Sequence, residues 1–165
     1  MTQLSMPLFP SFEAQVVRRL HQQVTDHLAD GITCPVCGQL CREYQRKLNA
    51  NMVSVLVRMV RRYEQTARPI HFLDCWEKEQ GRDYGYLQVW GLAIPHVSED
   101  TQKRMSGLWT PTAMGIDFAH DRLRMARYAF IFNNKVSRFS SEMTGVVEAL
   151  SDHFNFQELW NGAQE

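Results

Sequence analysis

The chain lacks the motifs that assign an enzyme. It has no H-E-x-x-H pair, no G-x-S-x-G elbow, no Walker loop and no Rossmann glycine pattern. The spacings that seat a catalytic zinc, a strained nucleophile or a phosphate cradle are therefore missing. Its six histidines are scattered, and its paired carboxylates (Glu77 with Glu79, Glu99 with Asp100) lie in polar stretches that read as solvated. The expectation is a protein without catalysis. Long apolar runs are also lacking, so no segment reads as membrane-spanning. The opening residues, MTQLSMPLFPSFEAQ, carry no basic region followed by an apolar core, so no secretion signal is expected. Surplus charge is lacking too: Lys+Arg and Asp+Glu both number 18, which argues against non-specific coating of nucleic acid. The expected location is the cytoplasm, where four cysteines act as thiols or metal ligands rather than as disulfides.

What is present is an ordinary globular composition. With 165 residues, 44% hydrophobic, the chain is long enough to bury a core without cross-links. Charge is unevenly distributed. Arg42 to Arg68 holds seven basic residues against two acids, and Arg122 to Arg138 holds five basic residues and no acid. Glu142 to Glu165 holds five acids and no Lys or Arg. This pattern is read as a basic patch beside an acidic tail, or simply as exposed helix faces.

Apolar periodicity places the elements. After an arm at 1–10, Ser11 caps a helix to about residue 29, with Phe12, Val16, Leu20, Val24 and Leu28 on one stripe. A cysteine turn at 32–42 follows, then a helix from about 43 to 65 with Leu48, Met52, Val55, Leu56, Met59, Val60 and Tyr63 aligned. A very short strand at 70–73 and a third helix at 74–79 come next, then a fourth helix at 84–92. Strands near 93–97 and 107–110 flank a polar loop, and Thr112 caps another helix. Tyr128 to Phe139 alternates about Asn133-Asn134, a pair that tolerates positive φ, and so reads as a β-hairpin. A last helix to Leu150 is expected to turn Met143, Val146, Val147 and Leu150 inward, before a short turn of helix at FNFQELW. The domain expectation is an arm and helix at 1–31, the cysteine turn at 32–42 and an α+β domain at 43–165.

The segment YLQVWGLAIPHV followed by SGLWTPTAMGIDFAHD resembles winged-helix proteins. Trp90, Gly91, Leu92, Trp109, Thr112, Gly115 and Phe118 stand at the matching places. The resemblance implies that Trp90 and Trp109 pack across a small sheet and that Gly91 frees the turn. The stretch 32–160 also resembles uncharacterised bacteriophage and prophage proteins that open with a C-P-x-C-G turn and a Y-x-R-K-L segment. Here these are Cys34, Pro35, Cys37, Gly38, Tyr44, Arg46, Lys47 and Leu48. That likeness implies origin and fold, with a bacterial host cytoplasm as the setting, and no activity.

The C-P-V-C-G turn has the shape of a zinc knuckle. A tight turn aims two sulfurs at one ion, and structural zinc takes four ligands. Cys34, Cys37, Cys41 and Cys75 are the candidate set for a zinc cofactor, with His71 as a substitute. The alternative reading is a metal-free turn with Cys75 as a core thiol.

A winged-helix reading names a DNA partner. The helix before the wing would enter the major groove with Arg82, Tyr84, Tyr86 and Gln88, and Lys103 and Arg104 would touch phosphate. Arg46 and Lys47, in the basic stretch, are the further nucleic-acid candidates. Asp74, Glu77, Glu79 and Asp83 oppose a duplex there. The expected function is a phage-type regulatory DNA-binding protein. The other class is a non-enzymatic module that binds a host protein, for which Tyr128, Phe130, Phe132, Phe139 and Trp160 would supply apolar contacts.

Overall fold

The segment MVSVLV at 52–57 is almost continuously apolar, and a helix that is apolar all round must be covered on every side. In the computed structural model, which describes residues 11–77, 81, 83–98 and 105–162, it forms the centre of α2 (Ala50–Thr66). Met52 through Val57, with Met59 and Val60, are buried. The single stripe read from the sequence understates this helix, since Val53, Ser54 and Val57 are enclosed as well.

The chain is α+β and divides into two compact units. Unit 1 holds the described residues up to Tyr44, together with Ile131–Ser137. Unit 2 holds Gln45–Phe130 and Arg138–Glu165.

In unit 1, α1 (Phe12–Asp26) begins where Ser11 accepts from the Ala14 N–H at 3.2 Å, as its cap position predicts. The strands β1 (Ile32–Thr33) and β2 (Leu40–Cys41) pair antiparallel, Ile32 opposite Cys41. The cysteine turn is thus the tip of a hairpin. Glu43 N–H donates to Leu28 O at 3.0 Å, and the buried Glu43 carboxylate accepts from Ser137 Oγ at 2.9 Å.

The helix expected from residue 43 starts seven residues later. Tyr44–Lys47 is a strand, β3, and Asn49 caps α2 by accepting from Met52 N–H at 3.0 Å. Gln45, Arg46 and Lys47 are adequate helix formers, but the strand partner lies far along the chain and outweighs that weak preference. The strand order is β3-β8-β9, with β8 at Tyr128–Phe132 and β9 at Lys135–Phe139. Asn133 and Asn134 take positive φ (49° and 60°) between β8 and β9, as the hairpin reading requires.

The remaining elements of unit 2 surround α2. Strands β4 (Ile70–His71), β5 (Ala93–Val97) and β6 (Met105–Pro111) form an antiparallel sheet in the order β4-β6-β5. Between β4 and β5 lie 3-10 turns at Phe72–Asp74 and Asp83–Gln88, shorter and tighter than the two helices read from the sequence. The Thr112 hydroxyl donates to Gly91 O at 2.6 Å and accepts from Gly115 N–H at 3.0 Å, opening α3 (Ala113–Ala119). Gly91 has φ +67°, the freedom that its turn demands. Gly115 is needed for space: a Cβ there would stand 1.9 Å from the Leu92 carbonyl oxygen.

Trp90 and Trp109 are both buried but make different contacts. The Trp90 indole N–H donates to Ala126 O at 2.7 Å, while Trp109 lies in β6 with its ring edge-on to Tyr84. Near the C-terminus, β7 (Met125–Ala126) pairs with β10 (Met143–Thr144). Gly145 then starts α4 (Val146–Leu150), and Asn155 caps α5 (Phe156–Asn161). Because the chain is still a strand at Met143, the inward set shifts. Val146, Ala149 and Leu150 are buried, whereas Met143 and Val147, expected inside, are exposed.

Candidate functional site

In unit 2, the basic strand β3 stands beside the short helix that precedes β5. Asn49 joins the two: its Oδ1 caps α2 while its Nδ2 donates to Asp83 Oδ2 at 3.1 Å. The Arg46 guanidinium lies over the Tyr86 ring, 4.9 Å from its centroid. That distance suits a cation–π contact, which leaves the N–H edges of the guanidinium in solvent. Gln45, Arg46, Lys47, Asn49, Asp83 and Tyr86 line a shallow pocket of about 130 Å³. Arg46 and Lys47 are exposed and enter no ion pair among the described residues.

The other basic stretch is spent internally. Arg122 pairs with Asp117 at 2.8 Å, Arg124 with Glu148 at 2.7 Å and Arg127 with Glu142 at 2.6 Å. The basic and acidic segments near the C-terminus therefore partly neutralise each other. Arg138 stacks over the Phe130 ring at 3.5 Å.

The candidate base-reading residues divide. Tyr84 turns inward, stacked on Phe72 at 4.5 Å and edge-on to Trp109 at 6.0 Å. Leu87 anchors the turn in the core, Tyr86 is half-buried under Arg46, and Gln88 is exposed. Arg82, Lys103, Arg104 and Glu79 lie outside the described residues. Of the aromatics considered for a protein partner, Phe139 is exposed, and Tyr128, Phe130 and Phe132 are half-buried. Trp160 stacks on His120 at 4.4 Å.

A wide cleft of about 740 Å³ also opens in unit 2, lined by Arg58, Arg61, Glu77, His153, Phe154 and neighbouring residues. Its arginines are already committed, Arg61 to α5 and Arg58 to the segment after the Phe72–Asp74 turn. Arg61 donates to Leu159 O at 2.9 Å, and Arg58 pairs with Glu77 and donates to Cys75 O at 3.3 Å.

Unit 1 carries the cysteine hairpin. Cys34 N–H donates to Gln39 O at 2.7 Å, and Gly38 N–H to Cys34 O at 2.9 Å, which closes the turn. Gly38 has φ +73° with open space where a Cβ would stand, so backbone conformation rather than crowding calls for glycine. The Cys34 thiol is held below its ordinary value by the Cys37 backbone N–H first, then by the Val36 N–H and the Cys37 side chain, with a smaller bond from Cys41. Cys41 is pushed up by desolvation and by the negative charge that Cys34 and Cys37 would carry. Among the described residues, no group of three or more His, Cys, Asp or Glu side chains is already arranged to hold a metal ion. Cys75, the fourth candidate, belongs to the core of unit 2, where burial pushes its thiol up to about 11. His71, its substitute, is also in unit 2 and accepts from the Leu73 N–H.

The sequence reading missed Asn49. Its signal was available, since an asparagine directly before an apolar helical run is a preferred cap. Its second bond, to Asp83, depends on the fold. No helix among the described residues is long and apolar enough to cross a membrane. No family model, no curated protein and no solved structure matches the chain.

Proposed function

We propose that unit 2 is a winged-helix-type DNA-binding module of a phage-type regulatory protein. The observation that carries this reading is the pairing of the sheet order β4-β6-β5 with an exposed Arg46-Lys47 strand beside the short helix at Asp83–Gln88. A three-stranded sheet whose last two strands flank a loop, with a short helix before them, is the frame on which a wing and a reading helix are mounted. Arg46 and Lys47 supply the phosphate contacts that hold such a helix against the duplex, and these contacts fix register without reading sequence. Tyr86 and Gln88 are the base-facing side chains, while Tyr84 braces the helix from behind.

Binding of random-sequence duplex, followed by fluorescence anisotropy across a salt series, tests this. Each phosphate neutralised contributes about 0.9 to the slope of log affinity against log salt. Arg46→Ala/Lys47→Ala should weaken binding on every sequence and flatten the slope by about 2. Lys103→Ala/Arg104→Ala belongs in the same series as the wing candidate. Absence of binding at low salt defeats the proposal.

A second reading rests on a separate observation. Three apolar side chains of α1 face solvent, Phe12 80%, Val17 65% and Val16 39% exposed, which favours a module that binds a host protein. Such binding would persist at moderate salt and be lost on Phe12→Ser/Val17→Ser.

A further inference from the structure

Unit 1 has very little apolar interior. Of its described residues only Leu28 and Glu43 are buried, and one of these is a carboxylate. None of the residues of α1 is buried. A folded segment with so small a core normally gains support from a cross-link, a metal or a second chain. The apolar side chains for a larger core are present. Phe12, Val16, Leu20 and Val24 follow one another at four-residue steps along α1, with Val17 beside them, and the row leads to the buried Leu28. Phe12, Val16 and Val17 are exposed, and Leu20 and Val24 are half-buried.

We propose that this face packs against the same face of a second copy of the chain, the two α1 helices running antiparallel about a two-fold axis at the level of Gln22. Charge selects the orientation. Arg19 and Asp26 are separated by about two helical turns, so they lie on the same flank of the apolar row. Glu13, Arg19 and Arg42 enter no ion pair among the described residues, and Asp26 accepts from Gln22 Nε2 of its own helix at 2.7 Å. In a parallel pair Arg19 would meet Arg19 of the second copy and Asp26 would meet Asp26, and flanking charges of one sign disfavour that pairing. In the antiparallel pair Leu20 lies opposite Val24 of the second copy, and Arg19 comes to within one residue's rise of the level of Asp26 of the second copy. Two such charge pairs form, because a two-fold interface repeats every contact.

The two ends of the face match as well. A Cβ on Gly31 would stand 3.6 Å from Leu40 Cδ1 and 3.6 Å from Arg42 Cδ, so both side chains flank the end of the α1 segment. Leu40 is 65% exposed there. Antiparallel packing brings Phe12 of one copy to Leu40 of the other, and Glu13 to Arg42. The surface therefore complements itself in apolar character and in charge, which a second copy requires and an unrelated protein does not. A single helix pair is at the small end of interface sizes, so the expected association is weak, in the micromolar range.

The test is sedimentation equilibrium of the full chain across a concentration series that brackets the micromolar range. The wild type should pass from monomer to dimer. Phe12→Ser/Val16→Ser should stay monomeric throughout, with the near-ultraviolet circular dichroism of the buried Trp90 and Trp109 in unit 2 unchanged. Arg19→Glu and Asp26→Arg should each raise the dissociation constant roughly tenfold, since two attractive pairs become two repulsive ones. Mixing these two variants should restore association as a heterodimer, because each supplies the charge that the other lacks, and that recovery also shows that both variants fold. A wild type that stays monomeric across the series overturns the proposal, and so does one whose α1 face captures a different protein instead. A dimer indifferent to Phe12→Ser/Val16→Ser, or a mixture that associates no better than either charge variant alone, overturns it too.

Discussion

The helices α1 and α2 are close in length, 15 and 17 residues, and both begin at a side-chain cap. Yet α1 buries no residue and α2 buries eight. Amphipathic spacing alone does not decide whether a helix is enclosed. In unit 2, α2 is wrapped by the 3-10 turn at Asp83–Gln88, by α3, α4 and α5, and by β6. In unit 1 the buried contacts are Leu28 and a carboxylate that accepts from Ser137. One unit is built on packing, and the other has almost no apolar interior among its described residues.

Side-chain truncation should separate the two units most widely. Phe118 is fully buried in α3, and Phe118→Ala should cost about 3–5 kcal/mol in denaturant unfolding. Phe12→Ser in α1 should change stability by no more than about 0.5 kcal/mol. Equal losses at the two positions would mean that both units are held by packing.

A smaller effect lies in the caps. Thr112→Ala removes both the bond to Gly91 O and the cap on α3, and should cost about 1–2 kcal/mol of global stability. Ser11→Ala should loosen only the first turn of α1, visible as faster amide exchange at Ala14 with an unchanged unfolding midpoint.

The smallest effect is electrostatic. The Glu148 carboxylate is held below its ordinary value by the Arg124 side chain first, and then by the Gly145 N–H. A depressed folded-state value stabilises above the ordinary carboxylate range, and that contribution is lost as pH falls through the lowered value. Arg124→Gln should therefore move the Glu148 titration upward in a carboxylate NMR experiment. Because the pair is exposed, the unfolding midpoint at neutral pH should hardly move.

Much of the local structure was legible in the sequence because its causes are local. Ser11 and Thr112 are caps, Gly91 marks the turn before β5, and Asn133-Asn134 marks its own turn. The strand β3 was not legible, because Tyr44–Lys47 becomes a strand only through a partner more than eighty residues on. The inward placing of Met143 and Val147 failed for a related reason: β10 is set by pairing with β7, which delays the helix to Val146. The candidate site divides in the same way. The basic character of Arg46 and Lys47 and the cysteine spacing are visible in one dimension. The Arg46–Tyr86 stack and the Asn49–Asp83 bond join residues 40 and 34 apart in sequence, and only the fold brings them together.

The contrast between the units is best tested by residue-resolved native-state hydrogen exchange across a denaturant series. Amides of the hairpin, Cys34 and Gly38 among them, should exchange through low-energy local opening, while those of α2 should exchange only near the free energy of global unfolding. Hairpin amides protected as strongly as those of α2 would contradict a unit 1 with so little packing.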